Sequence, residues 1–133
     1  MQDGFIKVAA GTPEIRVADC AYNAQACLSL LHQAAAEGVK VLCLPELCLT
    51  GYTVGDLVQH ELLQRRAWEA MLRLCRQTED MAVVVGLPFS DSGRLYNCAA
   101  VLQGIILFFI LGCEFFVRYT VVPRGKGGCR NAA

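Results

Sequence analysis

The chain holds eight cysteines yet no C-x-x-C pair, and its two histidines, His32 and His60, stand far from any cysteine doublet. That spacing excludes a zinc-finger type of site and leaves most of the thiols as small buried apolar groups. An excess of charge is missing too. Twelve basic residues balance twelve acidic ones and the pI is near 6.7, so the chain lacks the electrostatic footprint of a nucleic-acid partner. With 18% charged residues and a mean hydropathy of +0.41, it also lacks the composition of a disordered segment. The longest apolar stretch, Ile105 to Val117, is broken by Gly112 and Glu114; it falls short of the roughly 20 residues of a membrane-spanning helix, so no membrane is expected. Met1-Gln2-Asp3-Gly4 offers neither the basic nor the apolar region of a signal peptide, and a reducing, cytoplasmic setting is the expectation.

What is present fits one domain at most, at 133 residues. Phe5–Ala10 is partly β-branched and ends at Gly11-Thr-Pro13, which reads as a first strand and a turn. Asp19 is placed to cap a helix whose apolar positions Ala24, Cys27, Leu28, Leu31 and Ala35 follow the 3.6 period, with Gly38 as its stop. Val39–Leu44 has the apolar pattern of a strand buried on both faces. Strand, helix, strand at this spacing is a βαβ unit with parallel strands. After a loop over residues 45–55, a second amphipathic helix is predicted from about Leu57 to Thr78, with Leu63, Ala67, Met71, Leu74 and Cys75 inward and Arg65, Arg66, Arg73 and Arg76 on a solvated face. Met81–Phe89 reads as a third strand, Ser90–Arg94 as a turn, and Leu95–Gln103 as a fourth strand closing a hairpin. The fold class is α/β.

Pattern and composition change together after Gln103. Residues 1–103 carry eight basic and eleven acidic groups, whereas 104–133 carry four basic and one acidic. Four of the six phenylalanines lie between 108 and 116, and Gly125 to Ala133 shows no periodicity. The chain thus divides into an ordered unit, 1–103, and a divergent apolar and basic tail, 104–133.

Glu46 has the unusual address. It follows a buried strand and a proline and precedes Leu47-Cys48-Leu49 and the turn Thr50-Gly51-Tyr52. The carboxyl end of a parallel strand is where open α/β sheets place ligands and catalysts, and partial desolvation there suits a carboxylate to general-base work. Taken alone, Glu46 also reads as a solvated loop residue. Cys43 and Cys48 flank it, the first read as strand packing. Asp56 reads as a loop or capping group. Gly125-Lys126-Gly127-Gly128 lacks the spacing of a phosphate-binding loop.

The segment Pro45-Glu-Leu-Cys-Leu-Thr-Gly-Tyr52 resembles the first catalytic motif of the nitrilase, or carbon-nitrogen hydrolase, superfamily. The opening Asp3 to Glu14, with Val17-Ala-Asp-Cys20 and Tyr22-Asn23, is similar to one branch, the amino-terminal glutaminase domain of bacterial glutamine-dependent NAD synthetases. Val84-Val-Gly-Leu-Pro88 and Leu95 to Leu102 resemble its next two strands, so the likeness runs from about 3 to 103. It implies an α-β-β-α sandwich of which about half is present. It further implies a Glu, Lys, Cys triad in which Glu46 is the general base and Tyr52 belongs to the wall near the substrate entrance. Glutamine is the implied substrate, and the ammonia released from it would amidate deamido-NAD. No cofactor is implied for this segment, ATP being used by a synthetase domain the chain does not encode, and members of the family are commonly homo-oligomers.

The triad's lysine and cysteine have no match. Position 114 is Glu, Val121-Val-Pro-Arg124 comes late and offers a guanidinium in place of an ammonium, Lys126 is no better placed, and Cys113 and Cys129 resemble the nucleophile by residue type alone. The resulting expectation is a truncated or frame-shifted product of such a synthetase gene, inactive alone. A different carbon-nitrogen hydrolase, such as an ω-amidase, and a non-enzymatic interaction segment are the alternatives.

Overall fold

The computed structural model of the chain describes residues 4–104, 106–111 and 117–121, with side chains over 4–104. In chain order the elements are β1 (Val8–Ala10), α1 (Cys20–Ala36), β2 (Val41–Cys43), a 3-10 helix (Gly55–Gln59), α2 (Glu61–Cys75), β3 (Ala82–Asp91), β4 (Arg94–Gln103), β5 (Ile106–Leu111) and β6 (Val117–Val121). The strands form a single sheet in the order β1-β2-β3-β4-β5-β6. β1, β2 and β3 run parallel, with Val8 opposite Val41 and Val41 opposite Ala82, and every later pairing is antiparallel. The expected βαβ unit is therefore present, followed by the expected hairpin.

Alternation along the strands divides the sheet into two faces. Leu42, Val83, Val85, Leu87, Cys98, Ala100 and Leu102 are buried and form one core with Ala24, Cys27, Leu28 and Leu31 of α1 and Leu63, Ala67, Met71 and Leu74 of α2. Trp68 of α2 extends this packing to Phe89 of β3, with ring centroids 5.4 Å apart. The opposite face carries Val8, Val41, Cys43, Val84 and Val101, of which Val8 and Cys43 are exposed and the others half-buried. The described residues thus make one helical layer on one sheet.

Several boundaries differ from the sequence reading. β1 keeps three residues, Val8–Ala10, and Phe5, 81% exposed, makes an isolated bridge ahead of it. β2 is buried on one face, not two, since helices among the described residues cover one side of it alone. On α1 the inward position is Ala34 rather than Ala35, one residue earlier along the stripe. Asp19 caps the helix as expected, its carboxylate accepting from Tyr22 N at 3.0 Å. The second helix is broken at His60, which is extended; the 3-10 turn before it tucks Val54 and half-buried Val58 inward, and His60 N closes it on Leu57 O at 3.0 Å. Its far end stops at Cys75 because Thr78 turns into the core, where its hydroxyl donates to Cys75 O and accepts from Gly104 N. The β3–β4 turn is shorter than Ser90–Arg94: Ser92 and Gly93 alone make it, with φ of 51° and 75°. Two successive positive values are what a two-residue hairpin turn of matching twist requires. β3 and β4 lengthen accordingly to Asp91 and Arg94.

Beyond Gln103 the backbone continues into the sheet through β5 and β6. Arg124, Lys126, Cys113, Glu114 and Cys129 lie outside the described residues. No helix among the described residues is long and apolar enough to cross a membrane.

Candidate active site

β2 ends at Cys43, and the chain then folds over the open face of β3 instead of running on beside it. Leu44 N donates to Val84 O at 2.9 Å and Leu49 N to Gly86 O at 3.4 Å, so the loop is pinned at two points along β3. Between them the backbone tightens. Cys48, Thr50 and Gly51 N–H groups bond back to Pro45 and Leu47 carbonyls, and Leu47 itself takes a φ of +50°. Positive φ at a leucine is uncommon and is sustained where the surroundings over-determine it.

Gly86 makes this close approach possible: a Cβ there would fall closest to Leu47 N and 2.8 Å from both Cα and the carbonyl carbon of Glu46, inside any van der Waals contact. Pro88, which lacks an N–H, costs β3 no ladder bond on that side, where β2 has already ended. From behind, buried Asn23 of α1 holds the loop. Its Nδ2 donates to Leu49 O at 3.1 Å and to Arg16 O at 2.8 Å, and its Oδ1 accepts from Arg16 N at 2.8 Å. Ala18 N donates to Thr50 O at 2.7 Å. Cys48 is buried beneath the loop against Cys27 of α1, and donation to the Cys48 sulfur, followed by burial, holds the Cys27 thiol far above its ordinary range.

Glu46 is thereby presented at the carboxyl end of a parallel strand, where it was expected, but it is exposed. The desolvation expected for it is absent because the described residues leave that face of the sheet uncovered. Its Oε1 accepts a hydrogen bond from Asn97 Nδ2 of β4. Asn97 sits opposite Pro88 in the register, so the carboxylate reaches from the backbone lying on β3 to the neighbouring strand.

Other expected residues are not brought to this carboxylate. Tyr52 lies past the loop's tight turn and is 71% exposed. Cys43, read as strand packing, is exposed on the open face, since no helix among the described residues lies on its side of β2. His32 and Asp56 are exposed, as are Arg65, Arg66 and Arg73 of α2 and Arg76 just past its end. His60 precedes α2 and borders a groove of about 520 Å³ between α1 and α2, lined also by Asp19, Cys20, Leu62, Arg66 and Arg73. The lysines among the described residues, Lys7 and Lys40, precede the amino ends of β1 and β2, the opposite end of the sheet from Glu46.

Sequence reasoning missed Asn97 and Asn23. Asn23 left a legible signal, an amide one residue from the apolar stripe of a capped helix; Asn97 left only a polar residue among the outward positions of a strand.

Residues 7–105 match the carbon-nitrogen hydrolase family. The chain belongs to that family. Among curated members, the glutamine-dependent NAD(+) synthetase of Mycobacterium leprae is 33% identical over 107 residues, 78% of this chain and 16% of the relative. The crystal structure of a glutamine-dependent NAD(+) synthetase from Cytophaga hutchinsonii superposes with a TM-score of 0.77 at 29% identity, covering 80% of this chain and 18% of that one. An amidase from Nesterenkonia sp. superposes with a TM-score of 0.65 over 77% of this chain and 40% of its own; at 18% identity it shows the fold alone. This carbon-nitrogen hydrolase chain spans about a sixth of the length of the curated relatives it matches.

Proposed function

We propose that the chain carries the general-base segment of a glutamine amidohydrolase, of the kind that feeds ammonia to NAD synthesis. The observation that supports this most directly is the loop over residues 45–52, held on Gly86 with the Glu46 carboxylate bonded to Asn97, in a chain 33% identical to a glutamine-dependent NAD(+) synthetase. In the reaction, Glu46 accepts the proton of a cysteine thiol, the thiolate attacks the side-chain amide carbon of glutamine, and a lysine ammonium stabilises the oxyanion. Ammonia leaves, and water then cleaves the thioester. Of that set the described residues are proposed to contribute Glu46 alone; Tyr52, exposed beyond the loop, is proposed to line the approach of the substrate. Lys7 and Lys40 are at the wrong end of the sheet to serve the oxyanion. The 133-residue chain alone is therefore proposed not to hydrolyse glutamine.

A segment exchange tests this. Residues 7–105 are placed in the aligned segment of the Mycobacterium leprae synthetase, and NAD formation is followed with glutamine or with free ammonium. The exchanged enzyme is expected to use both. Glu46→Gln should reduce the glutamine-driven rate by on the order of 10²-fold to 10⁴-fold, the usual contribution of a positioned base, and leave the ammonium-driven rate in place. Retention of glutamine use by the Glu46→Gln enzyme refutes the assignment. Ammonia release by the isolated chain, abolished by the same substitution, refutes its inactivity.

A further inference from the structure

We propose that Asn97 is the positioning residue of Glu46: its side-chain amide holds one carboxylate oxygen so that the other is aimed at the proton to be taken. The inference rests on the general-base reading and adds a residue to it. An ionised carboxylate only accepts hydrogen bonds, and an asparagine amide offers two N–H donors, one of which reaches Glu46 Oε1. An exposed glutamate otherwise samples several rotamers, and a base that must meet a thiol within hydrogen-bond reach acts only from one of them.

The placement of Asn97 fits this task better than a role in the sheet itself. It lies on the face that the helices leave open, and its described side-chain bond crosses from β4 to the loop carried by β3. Its neighbours along the same face, Ala99 and Val101, are apolar, whereas the turn that closes the hairpin is made by Ser92 and Gly93 without it. The two strands are joined by backbone pairing from Val83–Leu102 to Asp91–Arg94, none of which needs an amide side chain at 97. Backbone and side chain of Glu46 are thus fixed separately, the first by the fit on Gly86 and the second by Asn97.

The test uses the full 133-residue chain, labelled with ¹³C and ¹⁵N, and reads side-chain resonances with no turnover involved. In the unmodified chain the Asn97 amide protons should be displaced by Glu46→Gln, which replaces a charged acceptor by a neutral one. In Asn97→Ala the β3–β4 backbone resonances should stay, while the three-bond couplings across the Glu46 side chain change from a single-rotamer pattern to an averaged one. Asn97→Asp, equal in size but presenting acceptors and a second negative charge, should give the same averaging. The proposal is overturned by Asn97 amide resonances indifferent to Glu46→Gln, by a single Glu46 rotamer in both Asn97 variants, or by loss of β3–β4 pairing in both, which would make Asn97 a sheet residue. An intact Asn97–Glu46 bond together with a Glu46-independent exchanged enzyme would sink the general-base reading and leave this contact standing.

Discussion

Replacing Gly86 by alanine sets a methyl group where the Glu46 backbone already lies. The added Cβ would fall closest to Leu47 N and 2.8 Å from both Cα and the carbonyl carbon of Glu46, all main-chain atoms that cannot rotate away. Overpacking of this kind costs about 1–3 kcal/mol. Two effects run the other way, since alanine lowers the entropy of the unfolded chain and suits a strand better than glycine, together offsetting about 0.4–1 kcal/mol. Gly86 is not among the positive-φ glycines, so the backbone itself imposes no further penalty. With the clash made entirely against main-chain atoms, the expectation lies in the upper part of the difference, a loss of about 1–2.5 kcal/mol, read as a lower urea midpoint with an unchanged slope. The same change should lift the loop and release Glu46 from Asn97, visible in the Asn97 side-chain amide resonances. A Gly86→Ala chain as stable as the unmodified one, or more so, would refute the reasoning that the loop rests on β3 through this contact.

Asn23→Ala leaves Leu49 O and both backbone groups of Arg16 without the partners Asn23 supplies, and an unfolding titration should show a loss of about 2–4 kcal/mol, well beyond a surface substitution. Asp19→Ala removes the α1 cap at Tyr22 N and should cost about 1 kcal/mol by the same measurement; an unchanged midpoint would count against the cap. Burial, with help from Asp19, pushes the Cys20 thiol from 9.0 to about 11, and burial pushes Cys98 to about 12. The unfolded chain loses these protons first, so their contribution to stability is whole below about pH 9 and falls away as the pH rises toward 11–12. Urea midpoints taken up that range should decline less steeply in a Cys20→Ala, Cys98→Ala double variant; equal declines would contradict the burial of both thiols. Site-resolved alkylation near neutral pH should label exposed Cys43 before buried Cys20, Cys27, Cys48, Cys75 and Cys98.

The elements were legible where local chemistry and tertiary packing agree. Asp19 and Gly38 mark both ends of α1, and the apolar runs of β2 and β3 announce strands, though β2 is buried on one face alone. Helix α2 was legible in its inward stripe but not in its start, because the extended turn at His60 is set by what Val54 and Val58 pack against, a tertiary matter with no local signature. The hairpin turn was overestimated because Ser90 and Asp91 are turn-forming by type yet are held in strand by pairing with Leu95 and Arg94. For the site, position 46 was visible as a carboxylate at a strand end and through family resemblance. Its exposure was not visible, since that depends on what covers the sheet's second face. Nor was Asn97, because a partner 51 positions away is set by register, which no window of sequence contains.

Strand register has a consequence for the carboxylate that reaches beyond the two residues in contact. Ser92 and Gly93, at the far tip of the hairpin, set the phase in which β4 lies along β3. Adding one residue at that tip would turn every β4 side chain to the other side, carrying Asn97 into the helical layer and Cys98 out of it. A solvent-exposed turn without chemistry of its own thus governs the aim of Glu46, and length variation there is transmitted to the base as surely as a substitution beside it.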